Sequence, residues 1–447
     1  MLTRTAASAV ADPDDTTIPG EDFIDMSAPA PRLTTPAELR QQSDAPDRLV
    51  FFFSGFDPKS ATFYHRLFRS GIAQRNAAHD ETLALGKRHR IGRWASVWTS
   101  LWRGAPTGLG RRPETMRTRI HFMRWDDIVR KHWKRTPLTL ACDYWNVYAR
   151  GLASGALVSV WRGAPAAFRL ALFPLLVGMA SVLAGTLVAG GLLALATPLP
   201  GLAAAGAGAA AGLLLWRAAA RWVDGEWMLR LVAFMREHAI GEVPALDVRL
   251  DEMADRVVEA VEARMRHPGA APLREVMVLG YSSGTILAAS VLARAMPRLA
   301  HIVAGHRADK GNTTLSLVTL GQCIPIATAW PQARRIRSEL EILAESPSLT
   351  WHDYSASSDR AAFWNTPPWP EPTKMKGRQA SPPFKAAPGG LKFAALSRER
   401  RETHLQYLRP PVGKGDPSSF DFLTIACGPQ TLAERHAKGE TAGDLRG

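Results

Sequence analysis

Hydrophobic positions in this chain come in short unbroken runs, with stretches of helical periodicity between them. Arg48–Ser54, Arg119–Arg124, Glu275–Leu279, Thr314–Gly321 and Ser348–Tyr354 each have strand length, and the run Leu49-Val50-Phe51-Phe52-Phe53 is apolar on both faces. Between the runs, Thr62–Phe68, Arg236–Arg266 and Thr285–Arg294 read as helices; Leu250, Met253, Val257, Val258 and Val261 form the apolar stripe of the second. Strands alternating with helices predict an α/β fold with a mostly parallel sheet flanked by helices. The Arg-, Trp- and Gly-rich stretch from Lys87 to Arg112 fits neither period. Asn365–Gly390 is Pro-rich and loop-like, a natural lid or substrate-binding segment.

One long stretch breaks the alternation. From Leu170 to Trp216 there is no Asp, Glu, Lys or Arg, and Arg169 and Arg217 bracket the run. Crossing a bilayer takes about 20 apolar residues per helix, so the run accommodates two spans and a turn. The turn signal is Thr197-Pro198-Leu199-Pro200-Gly201, with spans at about 171–196 and 202–220. The second span is mostly Ala and Gly; its small residues allow close packing on the first. A soluble apolar hairpin buried in a large core is the alternative. Trp145, Tyr148 and Trp161 precede the run and Trp216, Trp222 and Trp227 follow it, as an interfacial belt would. Arg150, Arg162, Arg169, Arg217, Arg221 and Arg230 flank it on both sides, while the loop between the spans is uncharged. By the positive-inside rule both flanks are expected in the cytoplasm. Met1–Asp15 has one Arg and no apolar run, so no signal peptide is expected. The expected location is a bacterial-type inner membrane, with both termini and the remaining domain cytoplasmic.

The net charge of +14 changes the picture little. The Lys and Arg are scattered and no nucleic-acid motif occurs, so attraction to an anionic leaflet suits the charge better than nucleic-acid binding. Cys142, Cys323 and Cys427 lie far apart, without a CxxC spacing, and define neither a disulfide framework nor a metal site. Gly305–Thr313 imitates a phosphate loop but lacks the Gly-Lys-Ser/Thr ending. No metal or other cofactor is called for.

The strongest chemical signal is Gly280-Tyr281-Ser282-Ser283-Gly284, placed between a predicted strand and a predicted helix. A serine flanked two residues away by glycines at such a turn is a nucleophile elbow. The tight turn holds the hydroxyl out of the sheet and aims a helix N-terminus at a developing oxyanion. A Gly/Ser-rich turn without chemistry is the bland alternative.

With its flanking strands, this motif resembles the α/β-hydrolase superfamily, over roughly Asp47–Arg135 and Glu237–Arg435. The resemblance implies an order of nucleophile, acid, histidine, and makes Ser282 the nucleophile. The acid belongs on the loop after a later strand, where Asp359 and Asp353 are both available; the loop position favours Asp359. Either could instead cap the Arg360–Phe363 turn. Of the histidines beyond Asp359, His404 and His436, the first lies at a fitting distance and the second in a charged terminus. The oxyanion hole would use the amides of Ser283 and Phe56, the latter in Ser54-Gly55-Phe56-Asp57-Pro58. That loop departs from the family's His-Gly-Gly-Gly form, and a plain Asp-Pro turn is its alternative.

The implied layout is a tail at 1–46, a first domain half at 47–135, and a membrane-associated insertion at 136–236 with its hairpin at about 170–220. A second half follows at 237–435, then a tail at 436–447. The implied activity is a membrane-anchored serine hydrolase, esterase- or lipase-like, acting on an acyl ester or lipid at the bilayer through an acyl-enzyme. Acyl transfer to an acceptor other than water would use the same residues. A membrane scaffold that keeps the fold without the chemistry is the competing class. Two spans do not enclose a transport pathway unless copies assemble.

Overall fold

The computed structural model describes residues 47–105, 114–133, 136–198, 200–223, 226–267, 271–306, 313–384, 404–409 and 420–439. The expected tail at 1–46, residues 385–390 of the Pro-rich segment and the end of the C-terminal tail lie outside them, as do the side chains of Arg221 and Trp222.

The expected strands form as β1 (Asp47–Phe53), β5 (Thr115–Met123), β6 (Leu273–Tyr281), β7 (Thr314–Leu320) and β8 (Leu349–Tyr354). They join β2 (Thr82–Leu85), β3 (His89–Ile91), β4 (Ala95–Arg103) and β9 (Lys376–Ala380) in one sheet of order β2-β4-β5-β1-β6-β7-β8-β9, with β3 also on β4. The pairs from β5 through β9 are all parallel, whereas β2, β3 and β5 run antiparallel to β4. The fold is therefore α/β with a mostly parallel, mixed sheet.

Three departures from the sequence reading have physical causes. The unplaced Arg/Trp-rich stretch supplies β3 and β4 of the antiparallel end, where Trp98 and Trp102, four residues apart in β4, bury on one face. The Pro-rich segment contains β9, which adds parallel to β8 from Thr350↔Lys376 to Tyr354↔Ala380. The single helix read over 236–266 is two, Glu226–Ala239 and Pro244–Arg266, because Gly241 turns the chain at a φ of 83°. The first of these belongs to the main core: Phe234 and Met235 are fully buried there.

Alternate residues of the central strands feed two cores. Leu49, Phe51 and Phe53 of β1 join Val276 and Val278 of β6 on one face, while Val50 and Phe52 join Met277 and Leu279 on the other. The helix after β1, Ala61–Asn76, packs on the second face through Phe63, Tyr64, Leu67 and Phe68. The helix after β6, Gly284–His306, packs on the first through Ile286, Leu287 and Val291. Adjacent parallel strands thus send their helices to opposite faces. That divergence opens a crevice at the carboxyl ends of β1 and β6.

The opposite end of the sheet is tied down by a buried ion pair, Arg48 Nε to Glu275 Oε2 at 2.6 Å, with neither side chain exposed. Arg48 also donates to the carbonyls of Ala426, Gly428 and Gln430, and Glu275 accepts from Ser316 Oγ and the Leu432 amide. A buried ion pair needs such added hydrogen bonds to offset desolvation. Here they also fasten the C-terminal helices Phe422–Cys427 and Leu432–Ala437 beneath the sheet.

The uncharged run forms a helical hairpin. Its first arm runs from Pro165 to Ala196 through a π-helical stretch at Gly185–Gly190, and its second is Gly201–Val223. By length and composition, three helices among the described residues are apolar enough to cross a membrane: these two and Gly284–Gly305. Only 17% of each hairpin stretch is buried within the protein, against 67% of the third, which is a core helix. Leu183, Leu187, Leu192, Leu195, Leu202 and Leu214 all face outward from the hairpin. Between the arms, a Cβ on Gly185 would stand 2.4 Å from Gly212 Cα, and one on Gly208 would stand 2.6 Å from Gly190 N. The backbones touch, so the small residues are a packing requirement.

Candidate active site

Strand register brings four loops to one level. Phe53 pairs with Gly280, Tyr281 with Leu320, and Leu320 with Tyr354. The chain therefore leaves β1 at Ser54, β6 at Ser282, β7 at Gly321 and β8 at Ser355 beside one another, at the crevice.

Ser282 sits at φ 57°, the one positive value outside glycine among the described residues. Such a conformation strains an ordinary side chain and persists only where its surroundings enforce it. Here the Ser282 amide donates to Leu320 O at 2.8 Å, and its carbonyl accepts from the Thr285 amide and hydroxyl. The glycines of the motif follow from clearance. A Cβ on Gly284 would stand 2.4 Å from the carbonyl oxygens of Phe53 and Ser54, and one on Gly280 would stand 2.5 Å from Thr285 Cα. Gly55 is fixed in the same way from the β1 loop, since its Cβ would stand 2.9 Å from Ser282 Cβ and 3.2 Å from Ser282 Oγ. Ser54–Phe56 therefore lies directly against the serine hydroxyl.

His404 and Asp359 meet on the other side. His404 Nδ1 bonds Asp359 Oδ2 at 2.6 Å, and both side chains are largely buried. Asp359 Oδ1 accepts from the Ala361 amide at 2.9 Å, so the carboxylate both caps its own turn and holds the imidazole. With the Nδ1 proton given to Asp359, Nε2 is left as the acceptor. The imidazole packs on Tyr281, with ring centroids 5.1 Å apart, and on Tyr407. At Gly321, φ is +56° and a Cβ would stand 3.0 Å from His404 Cε1. Ser282 and His404 thus converge on the same Leu320-Gly321 turn. Among the described residues no hydrogen bond joins Ser282 Oγ to His404 Nε2. Serine–histidine contacts without substrate are often loose and tighten on binding.

The other sequence candidates are elsewhere. Asp353 does not meet His404; its carboxylate accepts from Thr319 Oγ1, Ser355 Oγ and Gln379 Nε2. Burial pushes its pKa up to about 7 against those three donors. His436 pairs with His352, Nδ1 to Nε2 at 3.1 Å, away from either acid. Cys323 follows the Gly321 turn, but burial and the neighbouring Asp359 charge push its thiol up to about 12, which keeps it protonated and unreactive. No cluster of three or more potential metal ligands occurs among the described residues.

Of the two expected oxyanion donors, the Ser283 amide makes no hydrogen bond among the described residues. The Phe56 amide is engaged: it donates to Ser283 Oγ at 2.6 Å. The Phe56 ring anchors this loop against Trp133 and Phe234, and Trp125 Nε1 donates to Ser54 O at 3.0 Å.

Two supports escaped the sequence reading. Gln322 donates to Phe363 O and Thr366 O, and its Oε1 accepts from the Ile324 amide, which binds the acid loop to the β7 loop. Tyr407 accepts from the Ala356 amide through its hydroxyl at 2.8 Å. Only Leu320-Gly321 at a strand end marked the first, and nothing local marked the second. The acid loop also reaches the base of the hairpin, where Thr366 Oγ1 donates to Gly163 O at 2.8 Å, just before the first arm.

No family model, curated protein or solved structure matches this chain.

Proposed function

We propose that this chain is a membrane-anchored serine hydrolase of α/β-hydrolase type that cleaves an acyl ester. The observation that supports it most is the strained Ser282 at a crevice shared with a buried His404–Asp359 pair. Strain at a polar residue beside an oriented imidazole is the signature of an activated nucleophile. In this reading Ser282 Oγ attacks the acyl carbonyl and its proton passes to His404 Nε2. Asp359 holds the Nδ1 tautomer and stabilises the imidazolium. The imidazolium returns the proton to the departing alkoxide, and water, deprotonated by His404, releases the acid from the acyl-enzyme. An acceptor alcohol in place of water gives acyl transfer by the same steps. The outward-facing apolar hairpin and its contact with the acid loop at Gly163 support a lipid or acyl substrate presented at the bilayer.

A non-catalytic membrane scaffold is the second reading, favoured by the unmade Ser282–His404 bond and by the engaged Phe56 amide. Fluorophosphonate labelling of the detergent-solubilised protein separates the two. A hydrolase labels, and loses labelling in both Ser282→Ala and His404→Ala, by at least about a thousandfold in rate. A folded wild type that does not label is the scaffold.

A further inference from the structure

The bond from Phe56 to Ser283 poses a chemical problem within the proposed hydrolase. An oxyanion hole works through donors aimed at where negative charge develops, about 2.7–3.1 Å away. The Phe56 amide, the donor contributed by the β1 loop, instead points at Ser283 Oγ from 2.6 Å. That hydroxyl is fully buried, so solvent does not compete for it.

The hydroxyl has used only an acceptor site in this bond. A serine O–H carries one proton and two lone pairs, and accepting from an amide leaves its proton free to donate. Among the described residues nothing accepts that proton. Its position is constrained on both sides. Ser283 follows the nucleophile directly, and Phe56 follows Gly55, whose Cβ would stand 3.2 Å from Ser282 Oγ. The Phe56–Ser283 bond therefore lies one residue beyond the contact of Gly55 with Ser282, buried behind the nucleophile turn. Accepting from an N–H also polarises the O–H and strengthens it as a donor.

We propose that Ser283 is a catalytic residue in its own right: its hydroxyl, polarised by the Phe56 amide, donates to the oxyanion beside the Ser283 backbone N–H. One residue then supplies two donors, and the β1 loop acts through a side chain rather than directly. On this account a loop with a single glycine suffices, because its amide need not reach the substrate oxygen. When Ser282 Oγ bonds to the carbonyl carbon, the carbonyl π pair moves to oxygen and the Ser283 O–H hydrogen bond shortens onto it. No proton is transferred, and the bond relaxes as the carbonyl re-forms and the leaving group departs.

This inference rests on the proposed hydrolase reading, and one experiment tells the two apart. Second-order labelling by a fluorophosphonate and turnover of p-nitrophenyl butyrate are measured for wild type, Ser282→Ala, Ser283→Ala, Ser283→Thr and Ser283→Cys, with melting temperatures as a check on folding. Ser283→Ala is expected to lose about a hundredfold in labelling rate and in kcat, with KM nearly unchanged, as when one oxyanion donor is removed. Ser283→Thr, which keeps the hydroxyl, is expected to recover part of the loss. A folded Ser283→Ala that labels at or above the wild-type rate overturns the proposal, since the hydroxyl would then only hold or block the Phe56 amide. Should Ser283→Ala not fold, the near-isosteric Ser283→Cys decides: its weak thiol donor lowers kcat if the proposal holds and leaves it unchanged if it does not. A wild type that neither labels nor turns over takes down the hydrolase reading, and the donor role with it.

Discussion

Two aspartates six residues apart have opposite surroundings, and that difference sets their roles. Asp359 faces an imidazole at 2.6 Å, whereas Asp353 faces only hydroxyl and amide donors. On the proposed mechanism, Asp359→Asn loses the tautomer control of His404 and lowers kcat by about a thousand- to ten-thousandfold. Asp353→Asn keeps most of the activity. Steady-state kinetics on p-nitrophenyl butyrate checks both, and the reverse ranking would transfer the acid role to Asp353. The sequence offered both residues and preferred one through loop position alone, because the chain does not reveal which carboxylate a histidine 45 residues away will meet. The elbow was legible for a different reason. Its glycines answer contacts made within a few residues and by the neighbouring strand, so the constraint is written as spacing. Gly55 and Gly321 answer contacts with Ser282, His404 and Tyr407 as single glycines, with no second glycine at a fixed spacing to make a pattern.

The same distinction holds for elements. Strands buried on both faces announce themselves as apolar runs, and β1, β6, β7 and β8 were readable from them. β2, β3 and β4 form an antiparallel end with mixed exposure, where Arg and Gly interrupt the pattern and Leu83, Leu85, Trp98 and Trp102 mark the buried face. β9 has the burial of an edge, with no residue fully inside, so its pairing with β8 follows from the sheet and not from its own composition. The hairpin was readable because absence of charge over two helix lengths is a strong signal; its interhelical contact was readable only as a bias to small residues. Gly212 tests that contact. A Cβ there would stand 2.7 Å from Ser181 O and Val182 Cα, so Gly212→Leu must force the arms apart. Overpacking of this kind costs about 1–3 kcal/mol. On the proposed membrane-anchored reading, the expected outcome is a lower melting temperature in detergent with retention in the membrane pellet after alkaline carbonate, because the substitution adds apolar character to the helix. Release from the membrane would show that packing, and not span apolarity, holds the second arm in place.

At the scale of the whole molecule, buried titratable groups away from the site set how the fold responds to acid. His121, His238 and His352 are each held neutral by burial, with pKa values lowered to about 3, and neighbouring positive charges add to the effect. Unfolding releases each to an ordinary value near 6.5, so the unfolded chain binds protons that the folded chain refuses. Their stabilisation is complete above about pH 6.5 and is lost as the pH falls toward 3. Asp353 works the other way. Its folded value of about 7 lies above its unfolded one, so its contribution is present below about pH 4 and disappears as the pH rises through 7. Between about pH 4 and 6.5 three protons taken up on unfolding oppose one released, and each is worth about 1.4 kcal/mol per pH unit. Stability should therefore fall steeply on acidification, read as melting temperature in detergent from pH 7 to pH 5. His121→Phe isolates one of the three: among the described residues neither ring nitrogen of His121 has a hydrogen-bond partner, and the ring lies against Phe51 with centroids 4.9 Å apart. That variant should melt higher than wild type at pH 5 and show a shallower slope, while Asp353→Asn should show a steeper one. A wild-type melting temperature that does not change over this range would mean that these histidines titrate normally in the folded protein, and that their burial is less complete than the packing of β5, β8 and the helix Glu226–Ala239 implies.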